Sequence, residues 1–206
     1  MFDKLPISSK TEKILTKSLD EPISAEDANY LINIKGSDLY PLLATADYLR
    51  QEIAGNNVTF INNCNINFTN ICTVRCGFCA FGKDADDPEA YILDDEAILK
   101  KAQGAVDKGA HEFCVMGGVL PDADVEYYEH LLQLLKGEFP NIMIHGFSPT
   151  MIKDASVVSG ISVEEAFERL KSAGLDTLPG TAAEILTDRS REIICPEKVT
   201  TQEWID

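Results

Sequence analysis

Three cysteines fall within eight residues, Cys72-x3-Cys76-x2-Cys79, and no other stretch of the chain carries as much chemistry in its spacing. Thiolates are the normal protein donors to a 4Fe-4S cluster, which needs four ligands. Three thiols from one tight loop would leave one iron open to a ligand from outside the protein. Two other readings fit the same spacing. A zinc site would need a fourth protein ligand from Cys64, His111 or His145, none of which stands at ribbon or finger spacing. The three could also be plain buried thiols. Cys64, Cys114 and Cys195 read most simply as small core residues, and six cysteines so unevenly placed make no disulfide framework. Met1 to Lys13 lacks the apolar stretch of a signal peptide, which predicts a reducing, cytoplasmic compartment.

Further positions invite a role. Gly117-Gly118 ends an apolar strand run, where a barrel enzyme places its site, with a simple strand-ending turn as the alternative. Glu184 follows Pro179-Gly180; its carboxylate could hold a cofactor or serve free N–H groups at a helix start. His145 closes a strand run and is the one candidate catalytic residue, with a core or rim position as the alternative. Asn65, Asn67 and Asn70 precede the cysteines and could contact a cofactor or substrate, though asparagine in a turn needs no functional reason.

These residues need elements to position them. Residues 1–57 read as a helical segment: Ser24…Asp27 resembles a capping box, Pro41 opens a helix and Gly55 closes it. Residues 58–206 read as strands alternating with helices. Strands are expected at 58–61, 113–116, 142–144 and 175–178, and helices at 93–110, 125–139 and 162–173, the last opened by Ser162…Glu165. Strands without clean alternation, separated by helices, indicate an α/β fold with a parallel sheet. About thirty residues per unit suits a barrel or partial barrel of about four strand–helix units. Thr200-x-x-Glu203 is a further capping box just before the last residue, Asp206, so the sequence is expected to be the front part of a longer protein.

The 206 residues carry 18 Lys and Arg against 34 Asp and Glu, a net charge of −16, spread along the chain. Such a surface repels phosphate and argues against nucleic-acid binding. No run of about 18 apolar residues is present, which argues against a membrane span. Hydrophobic residues at 45% and charged residues at 25% exclude a disordered chain.

Cys72-Thr73-Val74-Arg75-Cys76-Gly77-Phe78-Cys79 matches the C-x3-C-x-aromatic-C signature, and the chain resembles the radical S-adenosylmethionine (SAM) enzymes. The resemblance implies a TIM-type (β/α) barrel, of which this is the front part, with Cys72, Cys76 and Cys79 each holding one iron of a 4Fe-4S cluster. It further implies that the fourth iron binds SAM, and that Phe78, Gly117, Gly118 and Glu184 border that cofactor. Val119 stands where the family often has an acidic residue, so backbone carbonyls would serve the SAM amino group.

Asn65-Ile66-Asn67-Phe68-Thr69-Asn70 and Cys79-Ala80-Phe81 resemble the deazaflavin and menaquinone branch of these enzymes. His145-Gly146-Phe147-Ser148-Pro149 and Leu178 to Leu186 resemble the tyrosine-using subunit of deazaflavin synthases, in place of the Gly-rich stretch of aminofutalosine synthases. That likeness implies transfer of a 4-hydroxybenzyl group from L-tyrosine to 5-amino-6-(D-ribitylamino)uracil, for coenzyme F(420) biosynthesis. It also implies an electron donor such as ferredoxin or flavodoxin, and a companion radical SAM subunit. An aminofutalosine synthase-like enzyme, and an inactive metal-binding fragment or half of a split enzyme, are the alternatives.

Overall fold

The computed structural model describes residues 7–181 and 183–206; Ala182, in the stretch compared with aminofutalosine synthases, lies outside them. The chain divides into two compact units, Met1–Phe60 and Ile61–Asp206.

The first unit is helical: α1 Ser9–Lys17, α2 Ala25–Ile32, a 3-10 turn Gly36–Asp38 and α3 Leu39–Ala54. Ser8 and Ser24 cap α1 and α2 through their hydroxyls, and Gly55 ends α3 at φ 68°. Asp38 ties α1 down, its carboxylate accepting from the Ser8 hydroxyl at 2.6 Å and the Thr11 hydroxyl at 2.7 Å. The Ser24 hydroxyl accepts the Asp27 N–H at 3.1 Å, but the Asp27 carboxylate accepts from that hydroxyl and not from the Ser24 N–H, so the expected capping box is only half formed.

The second unit begins with β1 Asn63–Asn67, α4 Asp95–Val106, β2 Glu112–Met116, α5 Val125–Glu138 and β3 Met143–Gly146. It continues through α6 Pro149–Ser159, α7 Val163–Ala173, α8 Asp188–Ile194 and α9 Thr201–Ile205. The three strands run parallel in the order β1-β2-β3. Cys64, Phe113 and Ile144 are register partners, as are Ile66, Val115 and Gly146. Ile66, Phe113, Val115 and Ile144 are fully buried in one core with Ile98 and Ala102 of α4 and Leu132 and Leu135 of α5. Side chains alternate across a strand, so the opposite face carries Asn65, Cys114 and His145 in one row and Asn67 and Met116 in the next.

Two strand expectations are corrected. Val58-Thr59-Phe60-Ile61 forms no strand; Val58 and Phe60 are 87% and 86% exposed. Pairing starts instead where Asn62 accepts the His111 N–H at 2.8 Å, and where its own amide donates to the Gly109 carbonyl at 2.8 Å. High β-propensity gains nothing without a neighbouring strand. The expected strand at 175–178 shrinks to one bridge, Thr177 with His145. Pro179 has no N–H to extend the ladder, and Asp176 directs its carboxylate back to the Ile144 N–H at 2.8 Å and to Lys136 Nζ at 2.7 Å. Two helices lie outside the expected elements: α6, capped by Ser148 with Pro149 in its first turn, and the short α8.

Burial pushes the Asp176 carboxyl up, but the hydrogen bonds from Lys136 and Ile144 outweigh it and hold the group below its ordinary value. A depressed carboxyl contributes stability that is present above the unfolded pKa, about 3.9, and lost as pH falls through the native one. Urea unfolding at pH about 5 and about 3 is therefore expected to show a smaller acid loss in Asp176→Asn than in the parent. Equal losses would contradict the assignment.

Candidate functional site

The cysteine loop leaves the C-terminal end of β1 and is tied down on three sides. On one side the Cys72 N–H donates to the Lys83 carbonyl at 3.1 Å. On a second, the chain after β2 lies against it: the Thr73 N–H donates to the Val119 carbonyl at 2.9 Å, and the Val119 N–H donates to Cys72 Sγ at 3.3 Å. On the third, the Gly77 N–H donates to the Ile194 carbonyl at 2.8 Å, and the Arg75 N–H donates to the Glu197 carboxylate. Gly117 and Gly118 make the second contact possible. A Cβ on Gly118 would stand 2.1 Å from the Ile71 carbonyl oxygen and 2.8 Å from Cys72 Cβ; one on Gly117 would meet Phe68 Cζ at 2.8 Å. The glycine pair thus has a packing reason in this structure, whatever it binds.

Cys72, Cys76 and Cys79 line one cavity of about 190 Å³, together with Phe78, Gly117, Gly118 and Glu184. Every residue that the family resemblance assigns to cluster or cofactor therefore borders the same space, whereas Cys64, His111 and His145, the candidate fourth zinc ligands, do not. His145 sits in the row on the sheet's open face, with Nδ1 2.7 Å from the Thr177 hydroxyl. Cys64 is on the helix-facing side of β1, and Cys195 is 1% exposed.

Charge in the cavity is arranged around Lys198. Its ammonium donates to Glu184 Oε1 at 2.5 Å and lies 5.4 Å from the centre of the Phe78 ring. Glu184 adopts a left-handed φ of 29°, uncommon for a residue with a side chain. It stands three residues before Thr187, the N-cap of α8, so its carboxylate does not cap that helix. Burial pushes the Cys76 thiol up; Lys198 pulls the other way, and Cys195, Cys79 and Glu184 add to the rise. A thiolate at Cys76 thus needs positive charge beside it, which a bound metal supplies.

Among the described residues no group of three or more His, Cys, Asp or Glu is placed, as the side chains stand, to hold a metal ion. His111, a candidate fourth zinc ligand, precedes β2 at the opposite end of that strand from Gly117. A 4Fe-4S cluster spreads three thiolates over three irons, which suits three sulfurs bordering one cavity. Thr150, another lining residue, is buried with its hydroxyl lacking a hydrogen-bond partner.

Sequence reasoning missed Lys198, Glu197 and the Ile194 carbonyl as parts of this site. The run Ile194-Cys195-Pro196-Glu197-Lys198 was visible, but nothing local says that it closes onto a loop 122 residues earlier. Ser148 and Thr150 were missed because α6 was unread.

Residues 66–206 match the family model described as the radical SAM superfamily. The chain is 48% identical over 200 residues to the 5-amino-6-(D-ribitylamino)uracil--L-tyrosine 4-hydroxyphenyl transferase of Methanothermobacter thermautotrophicus, covering 97% of this chain and 54% of the relative. It is 44% identical over 167 residues to the protein of that name from Methanopyrus kandleri, covering 81% of this chain and 45% of the relative. The chain spans about half the length of the curated relatives it matches. In fold it resembles crystal structures of HydG, a maturase of the FeFe-hydrogenase, and of methylornithine synthase (PylB). Each has a TM-score of 0.67, at 18% and 17% identity, covering 95% and 96% of this chain and 41% and 53% of theirs. Among the described residues no helix is long and apolar enough to cross a membrane.

Proposed function

The chain belongs to the radical SAM superfamily, and on that premise we propose that it is the cluster-bearing part of a 4-hydroxyphenyl transferase. The reaction joins the side chain of L-tyrosine to 5-amino-6-(D-ribitylamino)uracil and releases 2-iminoacetate, methionine and 5′-deoxyadenosine. The observation that carries this reading is the single cavity bordered by Cys72, Cys76, Cys79, Phe78, Gly117, Gly118 and Glu184, in a chain 48% identical to a relative named for that activity.

When bound, the 4Fe-4S cluster and SAM supply the one-electron chemistry that removes a hydrogen atom from tyrosine. The protein's residues bind and orient. Cys72, Cys76 and Cys79 each hold one iron, and the Val119 N–H steadies the Cys72 sulfur. Phe78 and the backbone at Gly117-Gly118 border SAM, and Glu184, aligned by Lys198, takes its amino group or ribose. An electron donor such as ferredoxin or flavodoxin supplies the electron. A companion radical SAM subunit closes the ring to the deazaflavin of coenzyme F(420). The work is done in the cytoplasm, where thiols stay reduced.

Anaerobic reconstitution, then incubation with SAM, dithionite, tyrosine and ribitylaminouracil, tests the reading. About four irons per chain, 5′-deoxyadenosine and a coupled product by mass spectrometry are the expected results. A futalosine-type product, or one zinc with no SAM cleavage, would sink it.

A further inference from the structure

The open face of the sheet carries a polar layer, Asn65, Cys114 and His145, that does not line the cysteine cavity. The interior of a (β/α) barrel is normally filled by layers of bulky branched side chains. Here the register places Asn65, Cys114 and His145 in one layer, with Thr177 bridged to His145, and Asn67 and Met116 in the next. The two layers hold no Val, Ile or Leu, although the helix-facing side of the same strands has Ile66, Phe113, Val115 and Ile144. A face of this composition packs poorly and hydrogen-bonds well.

Among the described residues the Asn65 and Asn67 amides, the Cys114 thiol and His145 Nε2 have no hydrogen-bond partner. The His145 ring is held through Nδ1 by the Thr177 hydroxyl at 2.7 Å, which orients Nε2. Burial, with Glu112 nearby, pushes the Cys114 thiol up, so it stays a neutral S–H. Met116 lines the cysteine cavity, and Cys114 lies two residues before it on the same face. The Asn65–Cys114–His145 layer is therefore about 7 Å deeper than the rim of that cavity, at about 3.3 Å per strand residue.

We propose that this layer, with Asn65 and His145 as its principal contacts, reads the hydrogen-bonding edge of ribitylaminouracil rather than tyrosine. The inference rests on the two-substrate reaction proposed above. Tyrosine brings an ammonium and a carboxylate, which call for charged or strongly polarised partners. The layer offers an amide, a thiol, an imidazole and a hydroxyl. That set matches a neutral ring dense in N–H and C=O groups with a polyol attached. The depth agrees: the hydrogen donor must reach the cofactor at the cavity rim, and the acceptor can lie below it.

The test is calorimetric titration of the anaerobically reconstituted chain with ribitylaminouracil and, separately, with tyrosine. Asn65→Ala and His145→Ala are each expected to raise Kd for ribitylaminouracil about three- to tenfold, as the loss of neutral hydrogen bonds predicts, and to change Kd for tyrosine less than about twofold. Asn65 is exposed, so its variant will fold; circular dichroism and thermal melting monitor His145→Ala. Equal weakening of both ligands, weakening of tyrosine alone, or no change in Asn65→Ala would overturn the assignment while the proposed reaction stands. A parent protein that binds SAM and tyrosine but no ribitylaminouracil would overturn the reaction, and this inference with it.

Discussion

Cys76→Ala is expected to abolish reductive cleavage of SAM, with 5′-deoxyadenosine falling by more than about 100-fold, beyond the range typical of losing an outer-shell partner. Iron per chain after reconstitution should fall with it. The fold should survive. Cys76 is half-buried, and its sulfur makes no hydrogen bond among the described residues. Removing its thiol also removes a group whose ionised form is penalised by burial and by the nearby Cys195, Cys79 and Glu184. Circular dichroism and thermal melting close to the parent, alongside lost iron and lost cleavage, separate a ligand from a packing residue. Cys64→Ala, on the helix-facing side of β1, is the matched control and should load iron normally. Retained cleavage in Cys76→Ala would contradict the assignment of the cysteine loop.

Gly118→Ala is expected to have the second largest effect, without removing any ligand. The added Cβ would sit 2.1 Å from the Ile71 oxygen and 2.6 Å from its carbonyl carbon. Both are backbone, so no flexible side chain can move aside. The chain after β2 and the segment carrying Cys72 must separate, which strains the bonds at Thr73 and at the Cys72 sulfur. Overpacking of this kind costs roughly 1–3 kcal/mol, and a displacement near 1 Å at a reacting centre costs about 100-fold in rate. Loss of both stability and SAM cleavage is the expected outcome, measured by urea unfolding and 5′-deoxyadenosine yield. Gly137→Ala provides the contrast. Gly137 lies in the last turn of α5 with nothing within 4 Å of its added Cβ, and alanine there should stabilise by about 0.4–1 kcal/mol by restricting the unfolded chain. If both glycine variants behave alike, the close approach at Gly118 has no functional weight.

Several elements were legible because their determinants are local. Asp94, Asp124 and Ser162 cap α4, α5 and α7 through side-chain bonds to the third following residue, and Gly174 closes α7 in a left-handed conformation. Thr200 and Glu203 form the full reciprocal capping box read from their spacing. The strand at Glu112–Met116 was legible from an apolar run that is buried in the sheet's centre. The run at Val58–Ile61 had the better β-forming residues yet stayed unpaired, while Asn63-Cys64-Asn65-Ile66-Asn67, poor by propensity, became β1. Strand identity is decided by the neighbour that completes the hydrogen-bond ladder, and that neighbour lies about fifty residues away, beyond any local window.

Local spacing was enough to single out the cysteine loop: three thiols at x3 and x2 spacing with Phe78 before the third, ahead of alternating helices and strands. Eight consecutive residues carry that information, so chain geometry alone brings the sulfurs near one another. What surrounds them came from long-range folding. It brought Glu197 and the Ile194 carbonyl onto the loop, set Lys198 between Glu184 and Phe78, and left His145 outside the cavity in a polar row with Asn65 and Cys114. Those contacts join residues as far as 122 positions apart. They form because parallel strands can align only through long crossovers, whose helices must bury the apolar face of the sheet before its ends converge.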